Sequence, residues 1–68
     1  MERIGTVIKE RRKALLITQR ELAGLSGIGI NTVTKIERGE ANPSLKVLMN
    51  LLDTLGLEIE LKIKNRIY

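Results

Sequence analysis

Apolar and polar positions along this chain change period once. From Ile4 to Leu55 apolar residues recur in steps of three and four, and from Leu57 to Lys64 they alternate singly with charges. The first spacing is that of a helix with one buried stripe, and the second is that of a strand. Ile4, Val7, Ile8 and Leu15 share a stripe, with Lys9, Glu10, Arg11 and Lys13 mostly off it, which predicts a helix over 4–15 with a basic exposed face. Thr18 followed three residues later by Glu21 is a capping box, so a second helix starts at Gln19, turns Leu22, Ala23 and Ser26 inward and stops at Gly27. The stretch Ser26-Gly27-Ile28-Gly29 has room for a tight turn alone. Gly29 then caps a third helix over 30–38, which Gly39 closes. Asn42 precedes proline and is pushed out of helical geometry, Ser44 caps a fourth helix over 45–55, and Gly56 ends it.

The last stretch, LEIELKIK, puts Leu57, Ile59, Leu61 and Ile63 on one face and Glu58, Glu60, Lys62 and Lys64 on the other. As a fifth helix the four apolar residues would scatter. As a strand it needs an edge, and four helices offer none, so the expected partner is a second copy. Antiparallel pairing about Leu61 sets Glu58 against Lys64, Glu60 against Lys62, Ile59 against Ile63 and Leu61 against its mate. Each such cross-strand pair contributes roughly 0.2–1 kcal/mol, and the pattern is self-complementary as a twofold axis requires. The alternative is a tail folded back on its own domain. Helix 4 favours the dimer, because Val47, Leu48, Met49, Leu51, Leu52 and Leu55 cover more than one stripe and would leave apolar surface open on a monomer.

Composition narrows the chemistry. The 68 residues make one domain over 1–68, with a helical core at 4–56 and a dimerisation strand at 57–64, and so small a chain gains from a second copy. The only aromatic is Tyr68, which removes stacking on bases; the absence of Cys and His removes disulfides, thiolate nucleophiles, the usual zinc ligands and the commonest general base. Neither a catalytic constellation nor a metal or cofactor is expected. The apolar runs are too short and too interrupted for a signal peptide or membrane span, which places the protein in the cytoplasm. A net charge of +4 points to an anionic partner.

The stretch TQRELAGLSGIGINTVTKIERG, residues 18–39, wraps two short helices around a turn. Ala23 gives the small residue at their close approach, Gly27 the left-handed turn, and Val33 with Ile36 the branched residues facing back. With TQRELA, TVTKIERGE and NPSLKVL, the chain resembles the lambda-repressor-like, Cro/C1-type (XRE) helix-turn-helix domains over residues 4–56. The resemblance implies a mainly α, four-helix fold whose third helix enters the DNA major groove. It places Ile30, Asn31, Thr34 and Lys35 against base edges, and Gln19, Arg38, Gly39 and Asn42 against phosphates. The side chains suit this. Asn31 can bond an adenine edge, Lys35 a guanine or a phosphate, Thr34 either more weakly, and Gln19 a phosphate at a helix N-terminus. Two positions depart from the pattern: Gly29 stands where the family has a Ser or Thr cap, and Ile30 where it often has a polar reader. Ile30 either touches a thymine methyl or marks a surface that meets protein.

Glu37 lies four residues after Val33, and Arg12 four after Ile8, so both charges fall on apolar faces. A carboxylate there needs a partner, and an Arg12–Glu37 bridge between the first and third helices is expected; the resemblance implies the same pair. The reading that follows is a homodimeric, sequence-specific regulator, a repressor at a palindromic operator in double-stranded DNA. Small variants with a C-terminal strand resemble antitoxins of toxin–antitoxin modules, which adds a toxin protein as a partner. Restriction-modification controllers and phage repressors share the same chemistry. The alternative from another class is a protein-interaction module using Ile28, Ile30 and the strand.

Overall fold

The computed structural model describes residues 2–64. Among them are four helices: α1, Glu2–Ala14; α2, Gln19–Ser26; α3, Ile30–Glu37; and α4, Leu45–Leu55. α1 therefore starts two residues before the expected 4–15 and ends one before it, and α3 ends one short of Arg38, which serves as its C-cap. Most of these boundaries have a visible cause. Thr18 accepts from the Glu21 N–H while Glu21 accepts from the Thr18 N–H, closing the capping box of α2. Gly27 at φ 73° and Gly56 at φ 70° end α2 and α4 in the left-handed region, which glycine enters without penalty. Ser44 accepts from Val47 N–H at the head of α4. Gly29 heads α3 with no side-chain cap.

Ile8, Leu22, Ala23, Val33, Ile36, Leu48, Leu51, Leu52 and Leu55 form the core, to which every helix contributes. The line that α1 turns inward is not the expected stripe. Gly5, Ile8 and Arg12 are buried, whereas Ile4, Val7 and Leu15 remain 38, 45 and 40% exposed. Gly5 explains the shift. A Cβ at this position would fall 2.2 Å from the Ile36 carbonyl oxygen, so α1 rests backbone to backbone on the end of α3, and only glycine permits that approach.

The expected strand is not present in the single chain. Residues 57–64 have no regular structure, and no strand occurs among the described residues. The physical reason is the one that led the sequence reading to a second copy: a lone extended segment has no edge to pair with. Leu57 still closes the α4 cap, its N–H donating to Leu52 O at 2.8 Å, and it packs against the core. Beyond it exposure climbs, from 42% at Ile59 to 92% at Leu61 and 99% at Ile63. No helix among the described residues is long and apolar enough to cross a membrane.

Candidate nucleic-acid interface

The α2–turn–α3 unit is built on a buried polar cluster. Arg12 donates to Glu37 through Nε at 2.7 Å and Nη2 at 3.0 Å, a two-pronged pair, and its Nη1 donates to Ile17 O at 2.9 Å. Both residues are buried. Burial alone would raise the Glu37 pKa. The hydrogen bonds from Arg12 and Gln19 and the nearby positive charge of Arg12 and Lys9 outweigh it, so the carboxyl sits below its ordinary value of 4.5 and stays ionised. The same bonds to Glu37 raise Arg12. The pair joins the last turn of α1 to the last residue of α3 and fixes the orientation of the third helix.

Gln19, at the first position of α2, has an engagement that spacing along the sequence could not reveal. Its Nε2 donates to Glu37 Oε1 at 3.0 Å, and its Oε1 accepts from the Thr34 hydroxyl at 3.1 Å. Thr34 Oγ1 also lies 2.9 Å from Ile30 O. No buried side-chain nitrogen or oxygen among the described residues is left without a partner.

The remaining sequence-derived residues fall into two groups. Asn31 and Lys35 are exposed on α3, beside half-buried Ile30 and Thr34, so all four share the open side of the third helix. Arg38 and Asn42 are exposed around half-buried Gly39, after the helix has ended. Arg38 lies 3.8 Å from Glu40 in an open pair whose side chains are 66 and 54% exposed, which contributes little. A shallow groove lined by Arg12, Lys13, Leu16, Gln19, Arg20 and Ile30 opens beside α3. Arg20 was not singled out from the sequence, and Lys13 was read there only as part of the basic face of the first helix. The available signal was their position as cations flanking the α2 capping box.

Two short helices held about a left-handed glycine, with the open side of the second next to the N-terminus of the first, define a helix-turn-helix module. The chain belongs to the Cro/C1-type helix-turn-helix family, whose helix-turn-helix profile it matches over residues 8–62. It is similar to the uncharacterized HTH-type transcriptional regulator y4mF of Sinorhizobium fredii, 31% identical over 58 residues that cover 85% of this chain and 76% of that protein. An HTH-type transcriptional regulator of Haemophilus influenzae is 39% identical over 57 residues; the match covers 79% of this chain and spans 58% of the relative's length. Among solved structures, the restriction-modification controller protein C.AhdI of Aeromonas hydrophila superposes with a TM-score of 0.80 at 35% identity. That match covers 84% of this chain and 86% of the controller.

Proposed function

We propose that this chain is a sequence-specific double-stranded-DNA-binding transcriptional regulator that acts as a homodimeric repressor at a palindromic operator. The observation that carries the reading is the open face of α3, where Asn31 and Lys35 project beside Ile30 and Thr34 from a helix braced by a buried ion pair. Asn31 suits an adenine edge, Lys35 a guanine or a phosphate, and Ile30 a thymine methyl. Gln19, Arg38 and Asn42, with Gly39, flank the face as phosphate contacts. No reaction is assigned to the chain, and its place of action is the cytoplasm.

The homodimer is supported by the tail and by the groove next to it. Ile4, Val7, Leu48, Leu52, Leu57 and Ile59 line an apolar groove between α1, α4 and the tail, with Arg3 and Glu58 at its rim. Pairing two tails antiparallel about Leu61 covers the most exposed apolar residues, Leu61 and Ile63, and sets Glu58 and Glu60 against Lys64 and Lys62. Two reading helices roughly one turn of DNA apart, ~34 Å, then match a twofold operator. The antitoxin form of this reading adds a toxin as a partner. A kinase-like or nuclease-like reading frame downstream is the observation that decides for it.

Binding of labelled duplexes across a salt series tests the core of the proposal. A regulator that neutralises phosphates loses affinity steeply, with a log–log slope near −0.9 for each phosphate contacted. A weak salt dependence would instead favour a protein-interaction module that uses half-buried Ile28 and Ile30 and the tail.

A further inference from the structure

We infer that the buried ion pair dictates, through Gln19, which hydrogen-bonding group Thr34 can offer to DNA: an acceptor and a methyl, never a donor. The inference rests on the DNA-binding reading above and adds a specificity rule to it.

The argument follows hydrogen-bond polarity from inside to outside. Arg12 can only donate, and it gives two bonds to Glu37. An ionised carboxylate can only accept, so the end of the Gln19 amide that meets Glu37 must be the NH2, as the 3.0 Å contact has it. A reversed amide would press its carbonyl against the carboxylate. With the NH2 committed inward, Gln19 Oε1 faces Thr34, and this oxygen can only accept. The Thr34 hydroxyl, 3.1 Å away, carries one proton and can give it to Gln19. The other acceptor within reach, Ile30 O at 2.9 Å, would claim the same proton. Either way Thr34, which is half-buried, meets a ligand with oxygen lone pairs and its methyl group.

Ile30 has a part in this arrangement. A polar side chain there could compete for the Gln19 amide; isoleucine cannot, and the amide is left to Thr34. The second N–H of Gln19 Nε2 remains free for a phosphate oxygen, so relay and backbone contact are compatible.

In the major groove an acceptor is matched by the amino groups of adenine N6 and cytosine N4, and a methyl by the C5-methyl of thymine. Guanine presents only acceptors, O6 and N7, on its major-groove edge. One position in each half-site, the one under Thr34, should therefore exclude guanine on the strand that is read. Gln19 and Glu37 are positioning residues for that choice, since neither needs to touch the base.

Selection of bound duplexes from a randomised pool, followed by titration of single-position variants, tests this with the full chain and with Gln19→Leu and Thr34→Val. Gln19→Leu keeps both bonds of the Arg12–Glu37 pair and leaves Ile30 O as the remaining acceptor for the Thr34 proton; that carbonyl already accepts within the helix, so the hydroxyl can turn outward to a guanine acceptor. The expected result is loss of discrimination against guanine at one position per half-site by roughly tenfold, with the other positions unchanged. Thr34→Val removes the acceptor, and the same position should lose its preference for an amino-bearing base while still accepting thymine. A Gln19→Leu protein that binds every sequence more weakly by one common factor, with the salt slope unchanged because a neutral amide releases no counterion, would reduce Gln19 to a phosphate contact and overturn the inference. Should Gln19→Leu fail to fold, Thr34→Val decides alone: an unchanged preference at every position overturns it. Wild-type protein with no salt-dependent, sequence-selective binding would overturn the DNA reading itself, an outcome distinct from both.

Discussion

Two adjoining faces of α1 meet different fates. The line Gly5, Ile8, Arg12 is closed against α3, down to backbone contact at one end and a two-pronged ion pair at the other. The neighbouring Ile4 and Val7 look onto α4 and the tail across a groove left open to solvent. The closed face leaves α3 no freedom of orientation, which suits a helix that must present side chains to a rigid ligand. The open face has apolar surface and a charge-alternating tail, which suits an association that depends on concentration. One helix thus separates what the chain completes alone from what the proposed dimer completes.

The largest effect should come from breaking the closed face at its charge. Glu37→Ala strands a buried guanidinium and breaks the Gln19 amide bond and both Arg12 bonds, and removing one partner of such a pair costs about 3–5 kcal/mol. Against a total stability of about 3–10 kcal/mol for a chain of this size, that change leaves much of the protein unfolded at 37 °C, which thermal melting by circular dichroism will register. The pair also sets a pH dependence. Glu37 is held below its unfolded value of 4.5, so its contribution is fully present above that pH and is lost as the pH falls through the lower folded value. The melting temperature of the wild type should drop on acidification below about pH 4.5, by more than that of Glu37→Gln, which has no proton to gain.

The open face is broken at the tail. Leu61→Glu puts two carboxylates opposite each other on the proposed twofold axis and removes two leucines from the pairing. At about 1.5–3 kcal/mol for each buried leucine, the dimer dissociation constant should rise by at least about a hundredfold. Sedimentation equilibrium reads this directly, and the melting temperature at low concentration should change little because Leu61 is 92% exposed in the single chain. An unchanged association constant would remove the tail from the interface.

Gly5→Ala returns to the closed face with a smaller blow. The added carbon collides with the Ile36 carbonyl, a backbone atom that cannot swing aside, and α1 must slide or tilt. Overpacking of this kind costs about 1–3 kcal/mol, although alanine favours helix by about 1 kcal/mol over glycine elsewhere. A variant more stable than wild type would mean that α1 does not approach α3 as closely as the structure has it.

What the sequence made legible follows the range of each interaction. Caps were legible because Thr18 with Glu21, Ser44, Gly27 and Gly56 act within four residues of themselves. The inward turn of Arg12 and Glu37 was legible by stepping four residues from Ile8 and Val33, because helical period carries that information. Gly5 was not: a glycine adds nothing to an apolar period, and its reason lies more than thirty residues away at Ile36. The Gln19 engagement was hidden similarly, since its partners Thr34 and Glu37 stand 15 and 18 residues on, and an amide at a helix N-terminus looks the same whether it faces a phosphate or its own fold. In the tail, alternation and charge order were legible, but a strand is a property of two segments and the single chain supplies one.

Leu16 gives the smallest expected change and probes the border between stability and binding. It is the one non-glycine residue among those described with positive φ, 59°, and its side chain is 90% exposed. The conformation ends α1: Leu16 N–H donates to Lys13 O and Ile17 N–H reaches back to Arg12 O. A leucine held left-handed costs about 1–2 kcal/mol, which glycine would avoid while giving back up to about 1 kcal/mol in unfolded-state entropy. Leu16→Gly should therefore stabilise the fold by about 0.5–1 kcal/mol, seen as a rise of a few degrees in melting temperature. Because Leu16 lines the groove with Lys13, Gln19 and Arg20, its effect on operator affinity separates two roles. Tighter folding with unchanged DNA affinity makes Leu16 a tolerated helix stop, and tighter folding with weaker binding makes the strained leucine part of the surface that meets DNA.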